Sequence, residues 1–348
     1  CEMPFPERLF PVRFHGRVEP RQDERGRTVF DWVDTQVVMA MAYDIPVPGY
    51  RNDTVNTLRL WSAKASREFD FHNFNRGDYL QAVYEKNATE NISRVLYPND
   101  QVSQGRELRL KQEHFYVSAT LQDALRRHFV QHRTLANLHE KAVFQLNDTH
   151  PALAVPEMMR LLVDERGMGW DEAWAIASRC FAYTNHTVLP EALEQWPVSL
   201  LERVLPRHLQ ILYEINDRLL SEVRSRWPGD EDRVGRMSLV AEGSDRRVRM
   251  ANVAIAGSFS VNGVSALHSK LVREQLFPDF AALWPEKFNN KTNGITPRRW
   301  LLGCNPSLSR LISSRIGDGW VTDLEQLRKL EPLVEDVAFR EAWRAAKR

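Results

Sequence analysis

The sequence predicts an α/β chain, with helices around a parallel sheet and a separate β-rich section ahead of it. Two apolar runs, 142–146 and 180–183, are too short for helices, and each leads through a polar corner into a helical pattern. Strands alternating with helices through short links pair in parallel with right-handed crossovers. The opening stretch 10–45 instead alternates apolar and polar residues, as half-buried antiparallel strands do.

Composition narrows the setting. A chain of 348 residues can bury a substantial core as one large domain or two ordinary ones. With 47 basic residues against 46 acidic ones, no global charge draws nucleic acid or an anionic membrane. Cys1, Cys180 and Cys304 are too few and too scattered for a disulfide or metal framework, and this suits a reducing, cytoplasmic compartment. No apolar run reaches the roughly 20 residues of a membrane span, and no signal peptide is visible. The chain starts at Cys1 without an initiator Met and stops at Arg348 inside a helical pattern. Both ends therefore read as those of a piece of a longer protein.

The elements follow in order. Val12, Phe14, Val18, Trp32 and the run 37–42 lie on strands, with the charged tip 21–27 as a hairpin turn. Pro46-Val47-Pro48-Gly49 closes this section, and 58–61 forms a short strand before a polar loop at 69–78. Residues 79–97 have helical spacing up to Pro98. Residues 107–133 make a long amphipathic helix with Val117, Leu121, Leu125 and Phe129 on one stripe. After the first corner, Pro151 suits a first helical turn and Gly167 ends the helix. Residues 170–180 form the next helix, with Asp171 as its N-cap. The unit then repeats as strand, corner and helix. Residues 200–227 are helical with a break at Pro206, 247–256 and 261–276 are further regular segments, and 310–348 is charged and helical.

The polar corners carry the chemistry. They are Leu146-Asn147-Asp148-Thr149-His150-Pro151, Tyr183-Thr184-Asn185-His186-Thr187 and Asn289-Asn290-Lys291-Thr292-Asn293-Gly294. Alone, the first fits helix capping, and His150 fits a satisfied core histidine. Three such corners at strand ends point to one crevice that hydrogen-bonds a neutral, hydroxyl-rich ligand. No Ser-His-Asp order, HExxH, Walker loop or GxGxxG is present. Arg126-Arg127 reads as a solvated helix face. Arg207, His208, Gln210 and Tyr213 read as an exposed face that also suits sugar stacking.

PVPGYRN (46–52), LRLWSAKA (58–65), NISRVLYPND (91–100), LRLKQEHF (108–115), LNDTHP, AYTNHTVLPEALE (182–194), VLPRHLQI (204–211), VNGVSALHS (261–269) and NKTNGITPRRW (290–300) resemble the glycogen/α-glucan phosphorylase family. The resemblance runs in order over essentially the whole chain. It implies a two-domain fold of the glycosyltransferase-B type, with 1–292 as the later part of an N-terminal glucan-binding domain and 293–348 as the start of a pyridoxal-phosphate domain. The implied reaction is phosphorolysis of terminal α-1,4-linked glucose from glycogen, starch or maltodextrin by inorganic phosphate, giving glucose 1-phosphate.

Residue by residue, His186 and Asn293 match the pair that holds the glucose 6-hydroxyl, and Trp300 matches a tryptophan beside the cofactor. Asp148 belongs to the active-site network, Asn99 and Asp100 to a gate loop, and Glu194 to the neighbouring gate at 190–196. Arg126 and Arg127 match an effector-phosphate site, and Arg207, His208, Gln210 and Tyr213 a glucan storage site. Residues 79–97 match a helix of a homodimer interface. Gln101, Val102 and Ser103 depart from the animal gate loop and resemble a bacterial type. The acid/base group implied is the cofactor's phosphate, which accounts for the absent carboxylate pair of glycosidases. The cofactor lysine is expected beyond Arg348 and a glycine-rich loop before Cys1, so residues 1–348 alone are expected to be inactive. Two alternatives stay open: a non-catalytic glucan-binding module, and a nucleotide-sugar glycosyltransferase of the same architecture.

Overall fold

The computed structural model describes residues 2–24, 26–65, 79–95 and 98–347, with backbone alone for 79–85. The loop expected at 69–78 and the last residues of the helix expected at 79–97 fall outside the described residues. The chain forms two compact units, Cys1–Lys291 and Thr292–Arg348.

The first unit opens with antiparallel strands. These are β1 (Met3–Phe14), β2 (Arg17–Gln22), β3 (Thr28–Val33), β4 (Gln36–Pro48) and β5 (Val55–Ala65). β4 lies between β1 and β5, and β2 pairs with β3 as the expected hairpin. Val38, Ala40 and Ala42 point inward on alternate positions of β4, the period-2 burial that the sequence pattern predicts. The strand expected only at 58–61 is longer, because it pairs with β4 from Pro48↔Val55 to Val38↔Ala65.

Helix α1 (Tyr79–Arg94) follows, then α2 (Ser103–His132), whose buried stripe includes Leu110, Val117, Leu121 and Leu125. The α/β part starts at β6 (Phe144–Asn147) and continues with α3 (Ala154–Arg160), α4 (Trp170–Ala177) and β7 (Phe181–Thr184). Gly169, not Asp171, is the N-cap of α4; Asp171 sits in its first turn and pairs with Arg218 at 2.6 Å. Next come β8 (Gln195–Pro197), α5 (Val198–Val204), α6 (Pro206–Arg226), β9 (Val240–Ala241), β10 (Arg247–Arg249), α7 (Met250–Gly257), β11 (Ser260–Gly263) and β12 (Phe288–Asn290).

The central sheet runs β12-β11-β7-β6 with every neighbouring pair parallel. Leu146, Phe181, Tyr183 and Val261 are buried on it, and α7 is buried along its whole length, as a sheet covered on both faces requires. All four carboxyl ends therefore open on the same edge. The small sheet β8-β10-β9 was not anticipated, since strands of two or three residues leave no periodic signal.

The second unit contains a π-helical turn Arg298–Gly303, then α8 (Pro306–Ile316), 3-10 turns and α9 (Val337–Lys347). Asn305 caps α8 by accepting from Leu308 N at 3.0 Å, and Trp320 is its buried anchor.

Candidate active site

The carboxyl edge of the parallel sheet carries a row of amide and hydroxyl groups. Thr184 Oγ1 donates to Asn262 Oδ1 at 2.9 Å and accepts from Gln145 Nε2 at 2.8 Å. Asn289 Nδ2 donates to Ser260 Oγ at 2.8 Å, and Lys291 Nζ to Asn289 Oδ1 at 2.6 Å. Gln145, Thr184 and Asn262 thus link β6, β7 and β11, and Asn289 ties β12 to the first residue of β11. His186, exposed, meets Asn147 Oδ1 through Nε2.

The first corner does not cap a helix. Helix α3 begins only at Ala154, with Leu153 as an N-cap lacking a side-chain bond. Asp148 sits in the left-handed region at φ 63, its N–H continuing the sheet to Thr184 O at 2.9 Å, while Oδ1 takes the N–H of Thr149 at 2.8 Å. Pro151 lies in the turn ahead of α3 rather than in its first turn. His150 is no core histidine either: its side chain is 59% exposed.

Beside this edge, one guanidinium gathers four groups from distant segments. Arg109 of α2 donates to Asp100 Oδ2 at 3.1 Å, to Glu194 Oε2 at 3.0 Å and to Glu113 Oε1 at 3.3 Å, and its Nη2 lies 3.4 Å from His150 Nδ1. Burial works against the charge of Arg109, but Glu194, Glu113 and Asp100 outweigh it and raise its pKa. Burial and then the neighbouring Glu194 push the Glu113 carboxyl well above the usual carboxylate range. Contact with Glu194 raises the His150 imidazole despite its partial burial. Two clefts meet at this hub. One, of about 480 Å3, is lined by Pro98, Gln112, Tyr116 and His150; the other, of about 450 Å3, is lined by Arg106, Trp196 and Arg247; Asp100 and Arg109 border both.

The backbone holds the hub's partners in place. Glu194 O accepts from Met250 N at 3.1 Å, and the next residues pair with β10 as Gln195↔Arg249 and Trp196↔Val248. Asn99 closes its own turn by accepting from Gln101 N at 3.1 Å. A Cβ at Gly105, near the start of α2, would overlap the Asn99 carbonyl, so only glycine lets this loop lie against the helix.

The structure therefore brings Asp100 and Glu194 of the expected site onto one hub, with Asn99 in the loop that carries Asp100, Asp148 two residues before His150, and His186 on the sheet edge. Asn293 and Trp300 belong to the second unit, where Trp300 is 59% exposed on the turn Arg298–Gly303. Arg109 and Glu113 were not singled out from sequence. A carboxylate pair also exists where the sequence offered none, but side-chain oxygens of Glu113 and Glu194 lie within 4.8 Å of each other. Glycosidase pairs stand roughly 5–9.5 Å apart around a sugar.

The remaining expectations separate. Arg126 and Arg127 are solvated and both pair with the buried Asp123, at 2.9 and 3.1 Å, which Arg59 also holds at 2.6 Å. Of the storage-site set, His208 is a correction: it is 0% exposed and bonded to Glu157 at 2.7 Å, so it cannot touch a surface sugar. Arg207 is 4% exposed and locked bidentately on Asp164 at 2.7 and 2.8 Å. Gln210 is exposed beside a cleft of about 390 Å3 walled by Phe30 and Trp170, and Tyr213 lies under Arg246.

The sequence profile of the Phosphorylase family, described as carbohydrate phosphorylase, matches residues 1–348. The chain is 54% identical over 341 residues to the glycogen phosphorylase of Chlamydia pneumoniae, covering 98% of this chain and 41% of that one. It is 57% identical over 343 residues to the brain form of Bos taurus glycogen phosphorylase, and equally so to the muscle form of Homo sapiens, each time over 96% of this chain and 40% of the relative. The chain belongs to the carbohydrate phosphorylase family. It spans about 40% of the length of the curated relatives it matches.

Proposed function

We propose that the full-length protein to which these residues belong catalyses phosphorolysis of terminal α-1,4-linked glucose from glycogen or a related α-glucan, releasing glucose 1-phosphate. The observation that carries the reading is the edge of neutral donors and acceptors around His186 and Asn147, within a chain that matches the phosphorylase profile over its whole length. A glucosyl transition state with oxocarbenium character needs its hydroxyls placed, and preorganised neutral groups do this without reacting themselves. His186 is assigned to the 6-hydroxyl, and Asp148 to the network around it. Asn99, Asp100 and Glu194 border the approach of the glucan chain.

Pyridoxal phosphate is the assigned cofactor. The flat, exposed face of Trp300 fits a neighbour to its ring, and the attachment lysine is assigned outside these residues. When bound, the group supplies the phosphate that exchanges the proton with the glycosidic oxygen. Residues 1–292 are assigned to the N-terminal domain and 293–348 to the start of the C-terminal one. The full-length protein is assigned a cytoplasmic homodimer, with α1 at the interface and Arg126 and Arg127 at an effector-phosphate site. Gln210 and Tyr213 remain as surface groups for secondary glucan binding. No helix among the described residues is long and apolar enough to cross a membrane.

The test is release of glucose 1-phosphate by the full-length protein from maltoheptaose and inorganic phosphate. Turnover with a nucleotide sugar but not with phosphate, or glucan binding without any turnover, would replace the reading with one of its two rivals.

A further inference from the structure

We propose that Glu113 is a positioning residue for glucan docking: acting through Arg109 and by direct contact, it fixes the orientation of Glu194 and thereby the wall between the two clefts. The inference rests on the phosphorolysis reading and adds a residue to which that reading gives no role.

The wall is the chain Asp100–Arg109–Glu194, which ties the loop before α2 to the segment before β8. Among the described residues one guanidinium spans it, and its Nε is turned inward to Glu113, whose side chain is 9% exposed. Glu113 Oε2 and Glu194 Oε1 are buried, and neither has a donor partner among the described residues. Two buried carboxyls in contact cannot both be ionised, so one proton lies between them. Burial and the Glu194 charge assign it to Glu113.

The neutral carboxyl then donates to Glu194, whose other oxygen is already held by Arg109. The charged groups facing Glu113 pull both ways: Arg109 favours its carboxylate, while burial and Glu194 favour the proton and outweigh it. Arg109 comes from its own helix, Asp100 from the preceding loop, His150 with Asp148 behind it from the first corner, and Glu194 from the segment before β8.

Loss of the proton would set two carboxylates against each other, with one arginine already shared three ways. Glu194 would turn away and the wall would lose its fixed acceptor. The proton on Glu113 thus couples pH to glucan affinity at a point where no sugar need touch Glu113.

The test uses the full-length protein, with maltoheptaose as the probe. KM and kcat are measured from pH 6 to pH 9, and binding is measured by calorimetry without phosphate. Glu113→Ala is expected to raise KM and Kd about tenfold with a smaller change in kcat, since the Glu194 carboxylate loses one of its two buried partners. Glu113→Gln keeps a neutral donor and is expected to cost about threefold or less while removing the alkaline rise in KM expected of the parent protein. The inference is overturned if the two variants behave alike, if the glutamine variant keeps the parent's pH profile, or if kcat alone falls. If the parent protein binds maltoheptaose but turns nothing over, phosphorolysis fails as a reading, and the pH dependence of Kd still decides the role of Glu113.

Discussion

At the scale of single residues, His186 and Asn147 are the sharpest case. Asn147 Oδ1 can only accept, so the neutral His186 ring donates from Nε2 and keeps Nδ1 as an acceptor, the atom that the proposed function turns towards a substrate hydroxyl. In the full-length protein His186→Ala is expected to lower kcat/KM about 100-fold, the order seen when a preorganised polar contact to the transition state is removed. Asn147→Ala leaves the ring in place but frees its tautomer and is expected to cost about tenfold. Steady-state kinetics decide it: an alanine at 147 with unchanged kcat/KM would mean that Asn147 does not orient the ring. His186 was legible because it stands in a polar corner after an apolar run. Arg109 and Glu113 were not, because on a helix they read as one more i,i+4 ion pair. The partners that make them different lie 85 and 41 positions from Arg109, at Glu194 and His150, and no local pattern announces them.

At the scale of elements, both parallel strands ahead of the polar corners and the long helix α2 were readable from period and length. The small sheet that steadies Glu194 was not, since backbone pairing of a three-residue strand is a tertiary event. Helix starts were misread at Asp171 and Pro151 because propensity names good first-turn residues without saying which turn is first. The join between the loop carrying Asn99 and Asp100 and α2 depends on an element contact too. At Gly105 an added methyl would meet the Asn99 backbone, and backbone cannot move aside as a flexible side chain can. Gly105→Ala is therefore expected to cost roughly 1–3 kcal/mol of stability by overpacking. It should also weaken maltoheptaose binding, because the displaced loop carries Asp100 away from Arg109. Urea unfolding and calorimetric binding are the two measurements, and destabilisation with unaltered binding would detach the loop from the site.

At the scale of the whole molecule, a buried polar network ties three helices of the first unit together, and it sets how the protein responds to acid. Glu157 of α3 is held by Arg160 at 2.7 and 2.9 Å, by Ser118 of α2 at 2.6 Å and by His208 of α6 at 2.7 Å. Burial opposes its charge, but Arg160 and His208 outweigh burial and place the carboxyl well below the usual range. His114, against His208 with ring centroids 4.5 Å apart, is depressed by burial and by that neighbour to about 3. His208 is lowered as well, chiefly by burial.

All three shifts have the same consequence. In each case the unfolded chain takes up protons before the folded one does, so stability is full above the unfolded pKa and is lost as pH falls through the interval below it. For His114 that interval runs from 6.5 to about 3. For Glu157 the loss begins near 4.5 and continues below it. Glu113 works the other way, since its raised pKa favours the folded state at low pH, and it offsets part of the loss. Each unit of depression is worth about 1.4 kcal/mol, so His114 alone removes on the order of several kcal/mol by the acid end of its interval. Urea midpoints measured from pH 7 down to pH 4 should therefore fall steeply, and His114→Phe, which keeps an aromatic ring against Phe14 and cannot be protonated, should flatten the slope. A His114→Phe protein with the parent's slope would place the acid sensitivity on other groups.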